Sequence, residues 1–198
     1  MAETSTRLLT VLRCTATALH DRNRPFALVG GLAVSVRVEP RFTRDIDLAV
    51  AVADDVDAEA LTRELQTAGF GLRLSLEQQA LARLATVRLV PPGESAEGIA
   101  VDLLFASTGI EPDICAAAEP VAMEDFVVPV AAVGHLLAMK LLARADHRPQ
   151  DAVDLEALLR VLTPAERARA ITAVGQIERL GANRGKPLRL QLDALLNR

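Results

Sequence analysis

The chain has 198 residues, 51% of them hydrophobic, 3% aromatic and 24% charged, with a formal net charge of -4. That length and apolar content suit a compact core with a small helical appendage and exclude wholesale disorder. No apolar run reaches membrane-span length, and MAETSTRLL lacks the basic segment and long apolar core expected of a signal peptide, so a cytoplasmic protein is expected. The charge is unevenly spread: residues 1–44 carry seven Arg against three acids, and residues 160–198 eight basic against three acidic groups. An acidic middle between basic ends suits metal ions at the centre and a polyanion across the ends, or simply solvated helix faces. Cys14 and Cys115 are isolated and His20, His135 and His147 scattered, which points to buried, reduced thiols and no zinc site.

In chain order, residues 4–21 read as an amphipathic helix with Leu8, Leu12 and Leu19 on one side. Phe26 to Val29 is a short strand, Gly30-Gly31 a turn, and Leu32 to Val38 a short helix that Pro40 ends. Asp45 to Val52 alternates, with Ile46, Leu48, Val50 and Val52 on one face and Asp45, Asp47, Ala49 and Ala51 on the other. A helix over 55–68 closes at Gly69. Strands follow at Phe70 to Leu76, Leu84 to Val90 and Ile99 to Ala106, then an extended edge segment, Val121 to Val130, interrupted by Pro129. Four helical pieces are expected near 133–145, 149–161, 164–180 and 187–197. The fold class is thus α/β (α+β), with a mixed-sheet core over 1–130 and a helical region over 131–198 packed on it.

The chemistry centres on FTRDIDL, Phe42 to Leu48. Residues two apart on a strand point the same way, with Cα atoms roughly 6.5–7 Å apart, so Asp45 and Asp47 converge while Ile46 and Leu48 anchor the strand. Two carboxylates so placed can hold Mg²⁺, which takes oxygen ligands and is commonly shared with substrate phosphates. An acidic strand face that merely meets water is the plain alternative. Gly30-Gly31 adds a second feature, because the missing Cβ atoms leave room for backbone N–H groups to approach phosphate oxygens. By itself a glycine pair is more often a turn. Asp102 interrupts an apolar strand, where an unpaired charge is costly, and it supplies a third candidate metal ligand. Lys140, one of two lysines against twenty arginines, lies among leucines, either snorkelling to solvent or reaching a phosphate. Asp151 and Asp154 share a helix face: Asp151 is placed to cap the helix start, and Asp154 to pair with Lys140 or Arg144.

A strand, Gly30-Gly31, a short helix, Thr43-Arg44-Asp45-Ile46-Asp47-Leu48 and a later strand with Asp102 together resemble the nucleotidyltransferase superfamily that includes DNA polymerase β-like enzymes. The stretch HLLAMKLLARADHRPQDAVDLEALL, with Lys140, Arg144, Asp151, Asp154 and Leu155, is similar to the AbiEii-type branch and its MenT-like toxins. The resemblance covers about residues 25–160. It implies a mixed-sheet fold, a nucleoside triphosphate donor, Mg²⁺ and transfer of a nucleoside monophosphate with release of pyrophosphate. For the toxin branch it implies a tRNA 3′ end as acceptor, a neighbouring antitoxin as partner, and Thr43 as a position open to inhibitory phosphorylation. On this reading Asp45, Asp47 and Asp102 bind the metal, and Asp102 also helps deprotonate the acceptor. Gly30, Gly31, Thr43, Arg44 and Lys140 hold the nucleotide, and Lys140 and Asp154 join the catalytic set. Gly30-Gly31 departs from the Gly-Ser of many members, which removes a hydroxyl but leaves the backbone contact. Two other readings share the site: an antibiotic nucleotidyltransferase acting on a small molecule, and a catalytically silent binding protein.

Overall fold

The computed structural model describes residues 2–38, 43, 45–78, 82–95, 97–145 and 149–197, with side chains described from residue 6 onward. Arg44 and His147 lie outside the described residues. The first helix, α1 (Ala2–His20), buries Leu8, Leu12 and Leu19, the stripe that its periodicity marks. It leads into β1 (Phe26–Val29), whose four residues are all buried. Gly30 and Gly31 do not form a separate turn as the sequence suggested: they open α2 (Gly30–Arg37) directly, with Gly30 at φ 66°. The left-handed φ lets the chain swing from strand to helix in one residue, which a Cβ would resist.

The acidic strand is β2 (Ile46–Val50), shorter at both ends than its alternation suggested. Helix α3 (Asp55–Thr67) begins at Asp54, whose side chain accepts from the Asp57 N–H, and stops before Gly69 at φ 94°. A long hairpin, β3 (Gly71–Gln78) and β4 (Arg83–Val90), precedes β5 (Val101–Leu104). A helix the sequence did not suggest, α4 (Glu111–Ala116), follows; buried Glu111 accepts there from both the N–H and the hydroxyl of Thr108. The expected single edge segment over 121–130 is instead a hairpin, β6 (Glu119–Met123) and β7 (Phe126–Val130), turning at Glu124 with φ 46°. Pro129 is tolerated because the pairing of β7 with β1 falls beyond it, at Leu28 and Val130.

The sheet is mixed and seven-stranded, ordered β3-β4-β5-β2-β1-β7-β6, with β2 parallel to β5, β1 parallel to β7 and the other pairs antiparallel. All these strands precede residue 131; α5 (Val133–Ala143), α6 (Pro149–Arg160), α7 (Pro164–Arg179) and α8 (Leu188–Leu196) come after it. Gly134 lets α5 lie directly on α7, since a Cβ there would stand 2.4 Å from the Glu166 carbonyl oxygen. The basic excess of the first 44 residues is largely spent on the acidic middle: Arg7 pairs with Glu94, Arg13 with Asp125, Arg24 with Asp57 and Arg37 with Glu119. Cys14 is exposed rather than buried, and both cysteines are free thiols. Among the described residues no helix is long and apolar enough to cross a membrane.

Candidate active site

Strand register builds the floor of the site. Val29 lies opposite Asp47, Asp47 opposite Asp102, Asp102 opposite Arg88, and Arg88 opposite Leu74, one row running across five strands. Directly opposed residues share a face, so Asp47, Asp102 and Arg88 project to the same side. One step along, Leu48, Leu103 and Val87 point the other way and are buried, which fixes the register. Asp45 stands exposed just before β2. Thr43, half-buried, reaches the Asp45 carbonyl from its hydroxyl at a long 3.4 Å.

The carboxylates on this floor differ in their neutralisation. Asp102 is held in a two-pronged ion pair, with Arg88 Nε 2.7 Å from Oδ1 and Nη2 2.6 Å from Oδ2. That bond also raises the Arg88 guanidinium further above its ordinary range. Among the described residues Asp47 has no ion-pair partner, and its pKa is pushed up to about 6. Burial is the main cause, followed by the neighbouring charges of Asp102 and Asp45; Lys140 and Arg88 oppose the shift. Gly30 closes over this carboxylate, since a Cβ at Gly30 would lie 1.9 Å from Asp47 Oδ2. Asp47 therefore sits where the backbone at the start of α2 passes closest to it, with Gly31 buried in the first turn.

Helices form the wall. Lys140, on α5, points its ammonium at two buried carboxylates on α6, 3.2 Å from Asp151 Oδ1 and 2.8 Å from Asp154 Oδ2. Gln150 donates a further bond to Asp154 Oδ1. Asp151 does not serve as a helix cap for its own backbone; one oxygen meets Lys140, and Oδ2 is buried without a partner. Floor and wall enclose a cleft of about 360 Å³, lined by Gly30, Asp47, Asp102, Lys140, Asp151 and Arg184, among others. A larger hollow of about 480 Å³ lies elsewhere, against α1 and β7, and no carboxylate lines it. Its arginines, Arg13 and Arg24, already have acidic partners, so the chemistry belongs to the smaller cleft.

Among the described residues no group of three His, Cys, Asp or Glu is gathered to hold a metal ion. Both Asp102 oxygens face Arg88, so the three aspartates are not an open cage. A divalent cation nonetheless fits Asp45 and Asp47, because Mg²⁺ commonly takes only one or two carboxylates alongside substrate phosphates. The raised Asp47 carboxyl is the sign of a negative charge that a cation would relieve.

Sequence reasoning missed Arg88 and Arg184. An arginine inside the apolar run RLATVRLV is the same kind of signal that marked Asp102, and pairing the two strands would have matched them. Arg184 carries no local signal beyond its glycine-flanked loop.

The fold recurs in solved structures at low identity. An antigenic nucleotidyltransferase-like protein from Paracoccidioides brasiliensis aligns with a TM-score of 0.55 at 17% identity, over 98% of this chain and 93% of that one. The antibiotic-resistance factor ANT(2'')-Ia aligns with a TM-score of 0.55 at 16% identity, over 91% and 97%. The lincosamide antibiotic adenylyltransferase LnuA, in its lincomycin-bound form, gives 0.50 at 14% identity, over 75% and 94%. No curated protein matches the chain. The model of the nucleotidyl transferase AbiEii toxin family, type IV toxin–antitoxin system, matches residues 14–198. The chain belongs to this family and is a nucleotidyltransferase.

Proposed function

We propose that this protein transfers a nucleoside monophosphate from a nucleoside triphosphate to an RNA acceptor, the 3′ end of tRNA, in a Mg²⁺-dependent reaction, as the toxin of a toxin–antitoxin pair. One observation carries the nucleotidyl-transfer chemistry: an incompletely neutralised carboxylate, Asp47, in register with Asp102 and capped by a glycine that admits no side chain. The antitoxin partner rests on membership of a toxin–antitoxin family, and the tRNA acceptor on the resemblance of the Lys140 to Leu155 stretch to the MenT-like toxins.

In this mechanism the acceptor hydroxyl oxygen attacks the α-phosphorus and the bond to the β-phosphate oxygen breaks. Pyrophosphate leaves on the opposite side. Asp102 takes the acceptor proton, and the Arg88 fork holds its carboxylate in a fixed orientation while it does so. Asp45 and Asp47 would hold Mg²⁺, which would neutralise phosphate charge and stabilise the attacking and leaving oxygens. Backbone N–H groups at the start of α2 would take the triphosphate beside Asp47, which Gly30 allows to lie against the first turn of the helix. Lys140 keeps the wall in place through Asp151 and Asp154, and its charge reaches Asp47. Thr43 and Arg44 flank the entrance to β2 in sequence and complete the nucleotide-binding set. Positioning and charge stabilisation carry most of the rate enhancement.

Incubation with each radiolabelled nucleoside triphosphate, Mg²⁺ and total tRNA should label tRNA, and Asp47→Ala should abolish the signal. Label appearing only in a small-molecule fraction of a cell extract would favour the antibiotic-type reading. Equal labelling by wild type and Asp47→Ala would refute the assignment.

A further inference from the structure

Among the described residues three cations reach the cleft region, and two are already committed: Arg88 to Asp102, and Lys140 to Asp151 and Asp154. Arg184 is different. It lines the same cleft from the loop between α7 and α8, yet among the described residues it has no carboxylate partner. Its Nη2 lies 3.4 Å from both the carbonyl and the hydroxyl oxygen of Ser107, neutral atoms at the far end of hydrogen-bonding range.

The loop that presents Arg184 is anchored next to it. Lys186 donates to the Leu142 and Arg144 carbonyl oxygens, 2.5 and 2.6 Å away, at the end of the helix that carries Lys140. Asn183 donates to the Lys186 carbonyl, and Ala182 and Leu188 are fully buried. Between these anchors Arg184 adopts φ 54°, flanked by Gly181 and Gly185, both at φ 71°. A residue with a Cβ is disfavoured in that conformation and glycine is not, so an exposed, unpaired arginine is the less stable choice for the loop. Such strain is characteristic of a side chain held for a ligand.

We propose that Arg184 is the phosphate-binding cation of the cleft, its guanidinium taking the non-bridging oxygens of a phosphate lodged between Ser107 and the carboxylate floor. An arginine fork suits this task, since it offers parallel N–H donors to one phosphate and stays charged at every working pH. This deepens the nucleotidyl-transfer reading and rests on it: a triphosphate supplies such a phosphate, and so does the backbone of an RNA acceptor.

The test compares wild type, Arg184→Gly and Arg184→Lys by thermal melting. Calorimetric binding of a non-hydrolysable nucleoside triphosphate forms one arm, and fluorescence anisotropy with 3′-blocked tRNA the other. Arg184→Gly should melt at or above the wild-type temperature while losing at least tenfold in affinity for one of the two ligands, and Arg184→Lys should recover part of that loss. Loss in the nucleotide arm assigns Arg184 to the triphosphate, with KM rising more than kcat falls; loss in the RNA arm assigns it to the acceptor backbone. Unchanged affinity in both arms, with wild type binding normally, overturns the role of Arg184 alone. A wild-type protein that binds neither ligand overturns the nucleotidyl-transfer reading as well.

Discussion

The floor and the wall of the cleft treat charge in opposite ways. On the wall one ammonium meets two buried carboxylates at 2.8 and 3.2 Å, so each carboxylate holds a cation before any ligand arrives, although Asp151 Oδ2 has no partner of its own. On the floor Arg88 satisfies Asp102, while Asp47 is left with burial and like charges that push its carboxyl up to about 6. A buried carboxylate that already holds a cation is part of a scaffold. A buried charge left without a partner is a site waiting for one. If that distinction is right, changes on the floor should alter chemistry more than folding, and changes on the wall should do the reverse.

The largest effect is expected at Gly30. In Gly30→Ala the new Cβ would overlap Asp47 Oδ2, and the carboxylate, being the mobile end of a side chain, would move aside. Misplacing a reacting group by about 1 Å can lower a rate about 100-fold, so nucleotidyl transfer should fall at least that far. The left-handed backbone adds a penalty of about 1–2 kcal/mol to folding. Single-turnover rates and chemical denaturation measure the two separately. A variant with near-normal transfer would remove Gly30 from the site's geometry.

Lys140→Met tests the wall. It would leave Asp151, 5% exposed, with no ion-pair partner among the described residues, and would take the ammonium away from Asp154, 1% exposed. Breaking a buried pair in this way costs about 3–5 kcal/mol, and adding Asp151→Asn to the same chain should return part of it. Urea denaturation of the single and double variants decides the matter. A Lys140→Met protein as stable as wild type but unable to bind nucleotide would move Lys140 from scaffold to ligand contact.

The same contrast explains what the sequence made legible. Asp45, Asp47 and Asp102 could be found because period-two alternation fixes which way a strand residue points, and because a charge inside an apolar strand is costly. The order of elements from β1 to β5 followed from hydrophobic runs and turn residues. Arg88 stayed hidden because its meaning depends on register: only the pairing of β4 with β5 sets it against Asp102. Arg184 depends on a loop anchored to α5 from the far end of the chain. Helix α4 is six residues long, too short for a helical period, and it stands on the Glu111–Thr108 bonds. The β6–β7 turn uses Glu124 in a left-handed conformation without glycine, so no turn signature announces it.

Acid should separate wall from floor by sign. His135, on α5, is 5% exposed, its Nδ1 is unpartnered, and its pKa is pushed down to about 4. Burial is the larger cause and the Arg169 charge the next, with Asp113 opposing. Its folded value lies below the ordinary 6.5, so the unfolded chain binds more protons between the two. Stability from this group is complete above pH 6.5 and is lost as pH falls toward 4, by about 3 kcal/mol in all. His135→Phe should flatten that acid limb in melting experiments across this range. Parallel wild-type and variant curves would exonerate the histidine.

Asp47→Asn is expected to have the smallest effect on folding, and the opposite sign. The folded value of Asp47, about 6, lies above the ordinary 3.8, so the folded protein binds more protons in that interval. Its contribution is therefore most favourable below pH 4 and is lost as pH rises through 6. At pH 7.5, without metal, the ionised carboxylate weakens the fold by about 1–3 kcal/mol, and Asp47→Asn should recover that amount. The gain should shrink to nothing by pH 4, and Mg²⁺ should raise the melting temperature of wild type but not of the variant. Transfer activity should be lost throughout, because the group that destabilises the empty cleft is the one the cation needs. A variant less stable than wild type at pH 7.5 would mean that Asp47 is satisfied in the empty cleft, and the contrast between floor and wall would fail.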